Sequence, residues 1–196
     1  DVPLVVKVNG KTNLPHIAPI SRQTCSVDRA IKLGADAVGY TVFDGSQNEP
    51  EIFAEFGKLI EDAHDYGIPV IAWMYPRGQA IRSDMTTEIL AYSARIGLEL
   101  GADFVKLKYN HDVEGFKWVV KNAGRTKVLT AGGEKVPPTQ FLQSAQEIMT
   151  TGAAGMAVGR NIWQAQKPYG LSHALQEIIF KNKKVKDVMK HVHEDK

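Results

Sequence analysis

The chain has 196 residues, of which 43% are hydrophobic and 23% are charged, and its formal net charge at pH 7 is +2. This composition predicts one globular domain with a sizeable core, and the small net charge gives no reason to expect nucleic acid or an anionic membrane as a partner. No apolar stretch reaches 18 residues, so we expect no transmembrane helix. The single cysteine, Cys25, cannot form an internal disulfide, which fits a reducing cytoplasm.

Short apolar runs, spaced at roughly thirty residues, predict the β-strands of the fold. Amphipathic helical patterns separate these runs. In chain order the helices begin at Pro50, after a cap at Asp84, at Val113, at Pro137 and after a cap at Ser172. Regular alternation of strands and helices predicts a parallel sheet, either doubly wound or closed into a barrel. The predicted strands are Leu4–Asn9, Ala37–Phe43, Val70–Tyr75, Phe104–Tyr109, Val128–Ala131 and Ala154–Val158.

A closed barrel is favoured by the polar and large side chains that share one face of several strands. The lumen of a barrel accepts such side chains near its mouth, whereas a sheet buried on both faces does not. No glycine-rich nucleotide-binding loop follows the first strand. We therefore predict a single α/β domain over residues 1–196, a (β/α)8 TIM barrel. The side chains concerned are Lys7 and Asn9, Trp73 and Tyr75, and Lys106 and Lys108.

The number of strand–helix units falls short of a complete barrel, because six are visible and a TIM barrel has eight. The sequence also begins with Asp1 rather than methionine and enters a strand pattern almost at once. We therefore expect that the first two units are missing and that the visible strands are the third to the eighth. On this assignment Lys106 lies on the sixth strand of the barrel.

Lys106 is the residue that points most directly to chemistry. It lies in the middle of an apolar strand, where a lysine is costly unless it is paired or used. Desolvation and a second cation both lower the pKa of an ammonium group, which frees the amine to form a Schiff base with a carbonyl substrate. Lys108, on the same strand face, is a candidate for that second cation. The alternative is that both lysines reach solvent at the end of the strand.

A second group of candidates lies at the end of the preceding strand. Alternation places Trp73 and Tyr75 on one face, so Tyr75 is a candidate proton donor and acceptor at the mouth and Trp73 a candidate apolar wall. Arg77 follows on the loop and is a candidate anion ligand. The alternatives are an ordinary core pair of aromatics and a solvated arginine.

Glycines at the ends of the last two strands predict a phosphate site, because they allow the backbone to approach a ligand closely. The residues are Gly132 and Gly133 after one strand, and Gly159 and Arg160 after the other. The alternative is an ordinary turn at each end. Lys11 follows the first strand in an Asn-Gly-Lys-Thr run that lacks the upstream glycines of a nucleotide-binding loop, so we reject a nucleotide but keep Lys11 as a candidate contact for an anionic substrate.

The histidines are scattered along the chain, and we expect no metal site and no cofactor. His191 and His193 lie in a charged tail, where we expect them to be solvated.

Several short motifs follow one another along nearly the whole chain: NGKT, GYTVFDGS, AWMYPRG, ADFVKLKY, TAGG and GMAVGRNIW. Together they resemble the archaeal-type class I fructose-bisphosphate aldolases of the DhnA-like family. The resemblance implies a (β/α)8 barrel with a Schiff-base lysine on its sixth strand, no metal, and a homo-oligomer, often a decamer. The family also has an aspartate near the end of its first strand, in a segment that this sequence does not contain.

The resemblance assigns a role to each candidate residue. It implies that Lys106 is the nucleophile, that Tyr75 is the general acid and base, and that Trp73 packs at the reacting centre. It also implies two groups of substrate-binding residues, one around a phosphate and one near the other end of the substrate. These are Gly132, Gly133, Gly159 and Arg160 for the first, and Lys11 and Arg77 for the second.

The function that the resemblance implies is reversible cleavage of fructose 1,6-bisphosphate to dihydroxyacetone phosphate and glyceraldehyde 3-phosphate, a reaction of glycolysis and gluconeogenesis. One alternative is a related 2-amino-3,7-dideoxy-D-threo-hept-6-ulosonate synthase, which shares the lysine and the Tyr-Pro-Arg-Gly motif. Trp73 favours the bisphosphate aldolase, because the synthases carry a smaller residue at that position. A further alternative, from a different class, is a barrel fragment without catalytic activity.

Overall fold

A computed structural model describes residues 2–12, 14 and 17–194 of the chain. Strands and helices alternate along nearly the whole chain, as the apolar periodicity predicts. The strands are β1 (Val5–Lys7), β2 (Asn9–Gly10), β3 (Arg22–Gln23), β4 (Ala37–Val42), β5 (Val70–Met74), β6 (Phe104–Leu107), β7 (Lys127–Ala131) and β8 (Gly155–Ala157). The helices are α1 (Val27–Lys32), α2 (Glu49–Asp65), α3 (Thr87–Leu100), α4 (Val113–Asn122), α5 (Pro138–Thr150), α6 (Arg160–Trp163), α7 (Pro168–Lys181) and α8 (Val185–Val188), and a 3₁₀ turn follows at Met189–His193.

The main sheet is parallel, six-stranded and ordered β1-β4-β5-β6-β7-β8, so each of its strands pairs with the next one along the chain. This sheet curls into a half-barrel, and β2 and β3 form a separate antiparallel pair. The α/β class and the parallel sheet are therefore confirmed. The correspondence of these strands to the third to eighth strands of a complete barrel stays a prediction.

Two of the predicted helix caps are wrong. Thr86, rather than Asp84, caps α3, because its side-chain oxygen accepts a hydrogen bond from the backbone N–H of Ile89 at 3.3 Å. Ser172 lies inside α7, which begins at Pro168, a residue whose fixed φ suits the first helical position. The Ser172 hydroxyl donates instead to the carbonyl oxygen of Pro168, at 2.7 Å.

The two faces of the sheet differ in burial, and this difference positions the site. Val105 and Leu107 of β6 point toward the helices and are fully buried, whereas Phe104 and Lys106 point to the other face and are partly exposed. The same alternation holds along β5. The helices thus cover one face of the sheet, and the face that carries Lys106 is open to a ligand.

A second apolar cluster joins α5 and α7 to the C-terminal segment. Leu171 and Ile178 of α7 pack there with Val188 and Val192, and all four side chains are buried. This contact fixes the last helical turns of the described chain against α7. Among the described residues no helix is long and apolar enough to cross a membrane.

We predict opposite effects for the same substitution at two helical glycines. A Cβ at Gly97 of α3 would lie 2.2 Å from Cγ1 of Val105 on β6, so Gly97→Ala is expected to destabilise the fold by about 1–3 kcal/mol. A Cβ at Gly57 of α2 would meet nothing within 4 Å, so Gly57→Ala is expected to stabilise by about 0.5–1 kcal/mol, since alanine restricts the unfolded chain and favours helix. Denaturant unfolding of both variants tests this. Equal effects of the two substitutions would show that α3 does not pack so closely on β6.

Candidate active site

Lys106 lies at the centre of the sheet, paired with Trp73 of β5 on one side and with Leu129 of β7 on the other. Its Nζ atom is 5.6 Å from the centroid of the Trp73 ring. Burial lowers the pKa of the Lys106 amine, and the positive charge of Lys7 on β1 lowers it further. The geometry therefore gives Lys106 the two features that favour a free amine, desolvation and a neighbouring cation.

The neighbouring cation is Lys7, and the expectation that Lys108 has this role is wrong. The Lys108 ammonium pairs with the carboxylate of Asp84, which lies on the loop between β5 and α3. Lys7 has no such carboxylate partner among the described residues, and its Nζ donates to the carbonyl oxygen of Asn9 at 2.5 Å. Burial also lowers the pKa of Lys7.

Tyr75 stands at the end of β5, where its ring stacks against Phe43 with 6.3 Å between centroids. The guanidinium carbon of Arg77 is 5.5 Å from the Tyr75 centroid. Burial raises the pKa of the Tyr75 phenol, and the Arg77 cation opposes that rise. Tyr75 thus lies at a ligand-accessible position, next to a cation that stabilises a phenolate.

A cavity of about 770 Å³ opens on this face of the sheet. Most of the predicted site residues line it, and two do not. Trp73 lies outside the lining but contacts Lys106, and Lys11 lies on an exposed loop where its Nζ donates to the carbonyl oxygen of Thr12 at 3.1 Å. The predicted residues in the lining are Tyr75, Arg77, Lys106, Gly132, Gly133, Gly159 and Arg160.

The two glycines after β7 differ in what they offer a ligand. The N–H group of Gly132 donates to the carbonyl oxygen of Ala157 at 3.1 Å and is thus used by the sheet. Gly133 has φ +67°, in the left-handed region that favours glycine, and nothing lies within 4 Å of the place where a Cβ would be. Arg160 donates from Nη2 to the carbonyl oxygen of Gly133 at 3.1 Å. The space beside Gly133 is therefore open, and the hydrogen bond to its carbonyl oxygen holds the Arg160 guanidinium close to this turn.

Asn161 holds this loop in place, a role that the sequence did not reveal. Its side chain is 3% exposed, and its Nδ2 group donates to the carbonyl oxygens of Gly132 and Glu134 at 2.7 and 2.8 Å. Its Oδ1 atom accepts from the N–H group of Val136 at 2.9 Å. A buried amide with three satisfied bonds of this kind fixes the backbone of residues 132–136.

Gly39 makes room for Trp73 and was also missed. A Cβ at this position of β4 would lie 1.6 Å from a ring carbon of Trp73. The indole therefore lies directly over the backbone of β4, and any larger residue at position 39 displaces it. The available signal was a glycine inside a buried strand, which often marks a close approach.

Asp44 is a buried carboxyl group behind the Tyr75 loop. It is 4% exposed, it accepts a hydrogen bond from the Ser93 hydroxyl, and burial raises its pKa to about 6. The backbone carbonyl oxygen of Asp44 accepts a hydrogen bond from the backbone N–H group of Arg77 at 2.9 Å. Asp44 thus fixes the start of the loop that carries Arg77.

Within the described part of the chain, one set of metal-ligating side chains comes close together, namely His173, His191 and Glu194. None of the three lines the cavity. The prediction that His191 is solvated is wrong, because its side chain is only 16% exposed and contacts Glu194.

Comparison with known proteins identifies the family of this chain. A family model described as DeoC/LacD family aldolase matches residues 1–165. The chain is 44% identical over 185 residues to a class 1 fructose-bisphosphate aldolase from Thermoproteus tenax, a match that covers 94% of this chain and 70% of the relative. It is 39% identical over 191 residues to a 2-amino-3,7-dideoxy-D-threo-hept-6-ulosonate synthase 1 from Archaeoglobus fulgidus, with 97% and 71% covered.

A solved structure of an archaeal fructose-1,6-bisphosphate aldolase, whose catalytic lysine is covalently bound to the carbinolamine intermediate of the substrate, superposes with a TM-score of 0.88 at 43% identity. The superposition covers 91% of this chain and 71% of that chain. The fold, the family match and these identities agree, and the chain belongs to the DeoC/LacD family of aldolases.

Proposed function

We propose that this chain is a class I, metal-independent aldolase that cleaves fructose 1,6-bisphosphate reversibly to dihydroxyacetone phosphate and glyceraldehyde 3-phosphate. The observation that carries the proposal is the Lys106 amine, which burial and a neighbouring cation bias toward its free form, in the same cavity as Tyr75. The identity to class 1 fructose-bisphosphate aldolases supports the choice of substrate. No cofactor is needed for this chemistry.

Lys106 is first the nucleophile and then, as the iminium ion, the group that accepts the electron pair. Its unprotonated amine attacks the ketose carbonyl, and the carbinolamine loses water to give an iminium ion. When the C3–C4 bond breaks, the iminium accepts the electron pair and becomes an enamine. The aldehyde product leaves first. The enamine then takes up a proton at C3 and becomes an iminium again, and hydrolysis of this iminium releases the ketone and regenerates the amine. The Trp73 ring, 5.6 Å from Nζ, stabilises the cationic iminium through its π face.

Tyr75 moves the proton. In the cleavage direction Tyr75 acts as the phenolate: as the C3–C4 bond breaks, it takes the proton of the C4 hydroxyl and becomes the phenol. In the condensation direction the phenol returns this proton to the aldehyde oxygen, and the phenolate forms again. Burial alone disfavours the phenolate that forms, so the Arg77 cation beside the ring is the group that stabilises it.

The phosphates of the substrate bind at opposite ends of the cavity. We assign one to the loop ends at Gly132, Gly133 and Gly159, with Arg160 as the charged ligand, because the space beside Gly133 is open and Arg160 is held next to it by a hydrogen bond. Gly132 contributes no N–H group, because that group is used by Ala157, and its missing side chain allows close packing against Val158. We assign the other phosphate to Arg77, and to Lys11 as the weaker member because Lys11 does not line the cavity.

We further infer that the parallel strands correspond to the third to eighth strands of a (β/α)8 barrel in one domain over residues 1–196. The strand order supports this, as does the coverage of 70% of the Thermoproteus tenax relative. The assembly that we propose is a homo-oligomer, with the decamer of the family it resembles as the specific form.

The second candidate is a 2-amino-3,7-dideoxy-D-threo-hept-6-ulosonate synthase, since one relative of 39% identity has that activity in its name. The indole of Trp73 over Gly39 favours the aldolase, because it fills space beside the amine that a smaller residue leaves open. Assays with each substrate set decide between the two.

We predict that the protein, mixed with fructose 1,6-bisphosphate and borohydride, gains a covalent adduct at Lys106 and loses activity. Lys106→Arg is expected to abolish both the adduct and the cleavage activity, because a guanidinium stays protonated and cannot form an imine. Peptide mass spectrometry and aldol-cleavage assays measure this, with Lys108→Arg as the control that retains the adduct. A chelator is expected to leave activity unchanged. An adduct on Lys108, or activity lost to the chelator and restored by zinc, contradicts the assignment, and no adduct at all supports the non-catalytic fragment.

We predict that Tyr75→Phe slows carbon–carbon bond cleavage by about 10²–10⁴-fold and leaves imine formation intact. Only a hydroxyl is removed, so the thermal unfolding midpoint should change little. Single-turnover cleavage and borohydride trapping are measured side by side. Loss of trapping together with cleavage, or loss of the fold, would instead identify Tyr75 as a structural aromatic.

We predict that Lys7→Gln shifts the acid limb of imine formation to higher pH. Lys106 reacts only when it is unprotonated, and the positive charge of Lys7 contributes to lowering the Lys106 pKa in the native protein. Removing that charge raises the pKa, so less free amine is present at any given pH on the acid side. The measurement is the extent of trapping against pH. Lys7→Arg keeps the charge and serves as the matched control, and identical profiles for the glutamine and arginine variants would refute the coupling.

A further inference from the structure

We propose that His173, His191 and Glu194 form a metal site for Zn²⁺ or a similar divalent ion, separate from the catalytic cavity, that fastens the C-terminal segment to α7. The three side chains come from two parts of the chain. One histidine lies in the second turn of α7, and the other two residues lie in and just after the 3₁₀ turn.

The potential ligand atoms already converge. Nδ1 of His173 is 3.0 Å from one oxygen of Glu194, and Nδ1 of His191 is 2.6 Å from the other. One ligand atom from each residue fits within a set spanning at most 4.8 Å. Tetrahedral zinc with nitrogen and oxygen ligands holds those atoms roughly 3.3 Å apart, so small side-chain movements suffice to admit the ion.

The histidines face each other as well as the carboxylate. Their ring centroids are 4.2 Å apart, at an interplanar angle of 42°. A carboxylate only accepts hydrogen bonds, so without metal each Nδ1 carries its proton toward Glu194. Two imidazoles on one carboxylate form a donor set of the type that binds zinc in proteins.

Glu177 completes the arrangement from outside. A metal at Nδ1 of His173 requires the proton of that ring to move to Nε2. Nε2 is 4.0 Å from a carboxylate oxygen of Glu177, so a small side-chain rotation is needed to bring the two into hydrogen-bond distance. Histidine ligands of metals commonly donate their second N–H group to a carboxylate, which orients the ring and makes it more basic. Glu177 is itself held by an ion pair with Lys181.

Direct backbone contact between α7 and the C-terminal segment holds the three side chains close together before any metal binds. A Cβ at Gly170 of α7 would lie 2.1 Å from the carbonyl oxygen of His191 and within 3.0 Å of the backbone of Glu194. The glycine therefore allows α7 and the C-terminal segment to come into direct backbone contact. Val188 and Val192 anchor the same segment in the apolar cluster on α7. The side chains of the set remain partly exposed, which leaves a coordination position for water.

Zinc binding to the protein, after removal of metal with a chelator, tests the proposal. Calorimetric titration with ZnCl₂ is expected to give one ion per chain. His191→Gln and Glu194→Gln are each expected to weaken binding at least about tenfold, and Glu177→Gln about tenfold through the orienting contact. His193→Gln, in the same segment but exposed and outside the set, is the matched control and should bind as the native chain does.

Hydrogen exchange gives a second readout. Zinc is expected to slow exchange of the amides in residues 185–194 of the native chain and of His193→Gln, and to have no effect in His191→Gln. If a histidine variant loses the packing of the segment, Glu177→Gln still discriminates, because it leaves all three ligands in place. Absence of stoichiometric zinc binding, equal affinity in the variants, or an equal loss in His193→Gln would overturn the site.

Cleavage activity is measured in the same samples. The three residues lie outside the catalytic cavity, so the variants should cleave substrate at the native rate. The zinc titration and the borohydride adduct at Lys106 thus fail or succeed independently.

Discussion

The desolvation of one ammonium group is the constraint around which this protein is arranged. A lysine in the middle of a strand is tolerated here because the helices cover only the opposite face of the sheet, so the amine enters a cavity instead of a packed core. The cost of partial burial falls on the charged form alone. The fold therefore biases Lys106 toward the neutral amine that an imine-forming enzyme needs.

The charges around the cavity are distributed in keeping with that constraint. Lys7 approaches Lys106 with its positive charge unopposed by a nearby carboxylate among the described residues, whereas Lys108 is neutralised by Asp84. A carboxylate beside the reactive amine would instead stabilise its protonated form. The Trp73 ring lies 5.6 Å from Nζ and adds no anion.

The sequence predicted the strands and the face on which Lys106, Trp73 and Tyr75 lie, because these features follow from period-two alternation within a few residues. It predicted the parallel sheet because strands and helices alternate regularly along the chain. It did not predict Asp84 as the partner of Lys108, Lys7 as the second cation, or Asn161 as the clamp on the glycine loop. Each of these contacts joins residues that are far apart in the chain and is set by the path of a loop or by the pairing of strands. The convergence of His173, His191 and Glu194 was hidden for the same reason, since Gly170, on the same helix as His173, decides how closely the C-terminal segment approaches α7. The catalytic and phosphate-binding roles of the individual residues stay predictions.

The contact between Gly39 and Trp73 has a consequence for how chains of this type change over time. Because the indole of Trp73 occupies the place of a side chain at position 39, the side chains at positions 39 and 73 cannot both be large. A lineage that replaces the glycine first produces a clash, whereas one that first shortens the tryptophan leaves a gap that a later, larger residue at position 39 can fill. Substitutions at the two sites should therefore be correlated among homologues, and the viable order of change should run through the smaller residue at position 73.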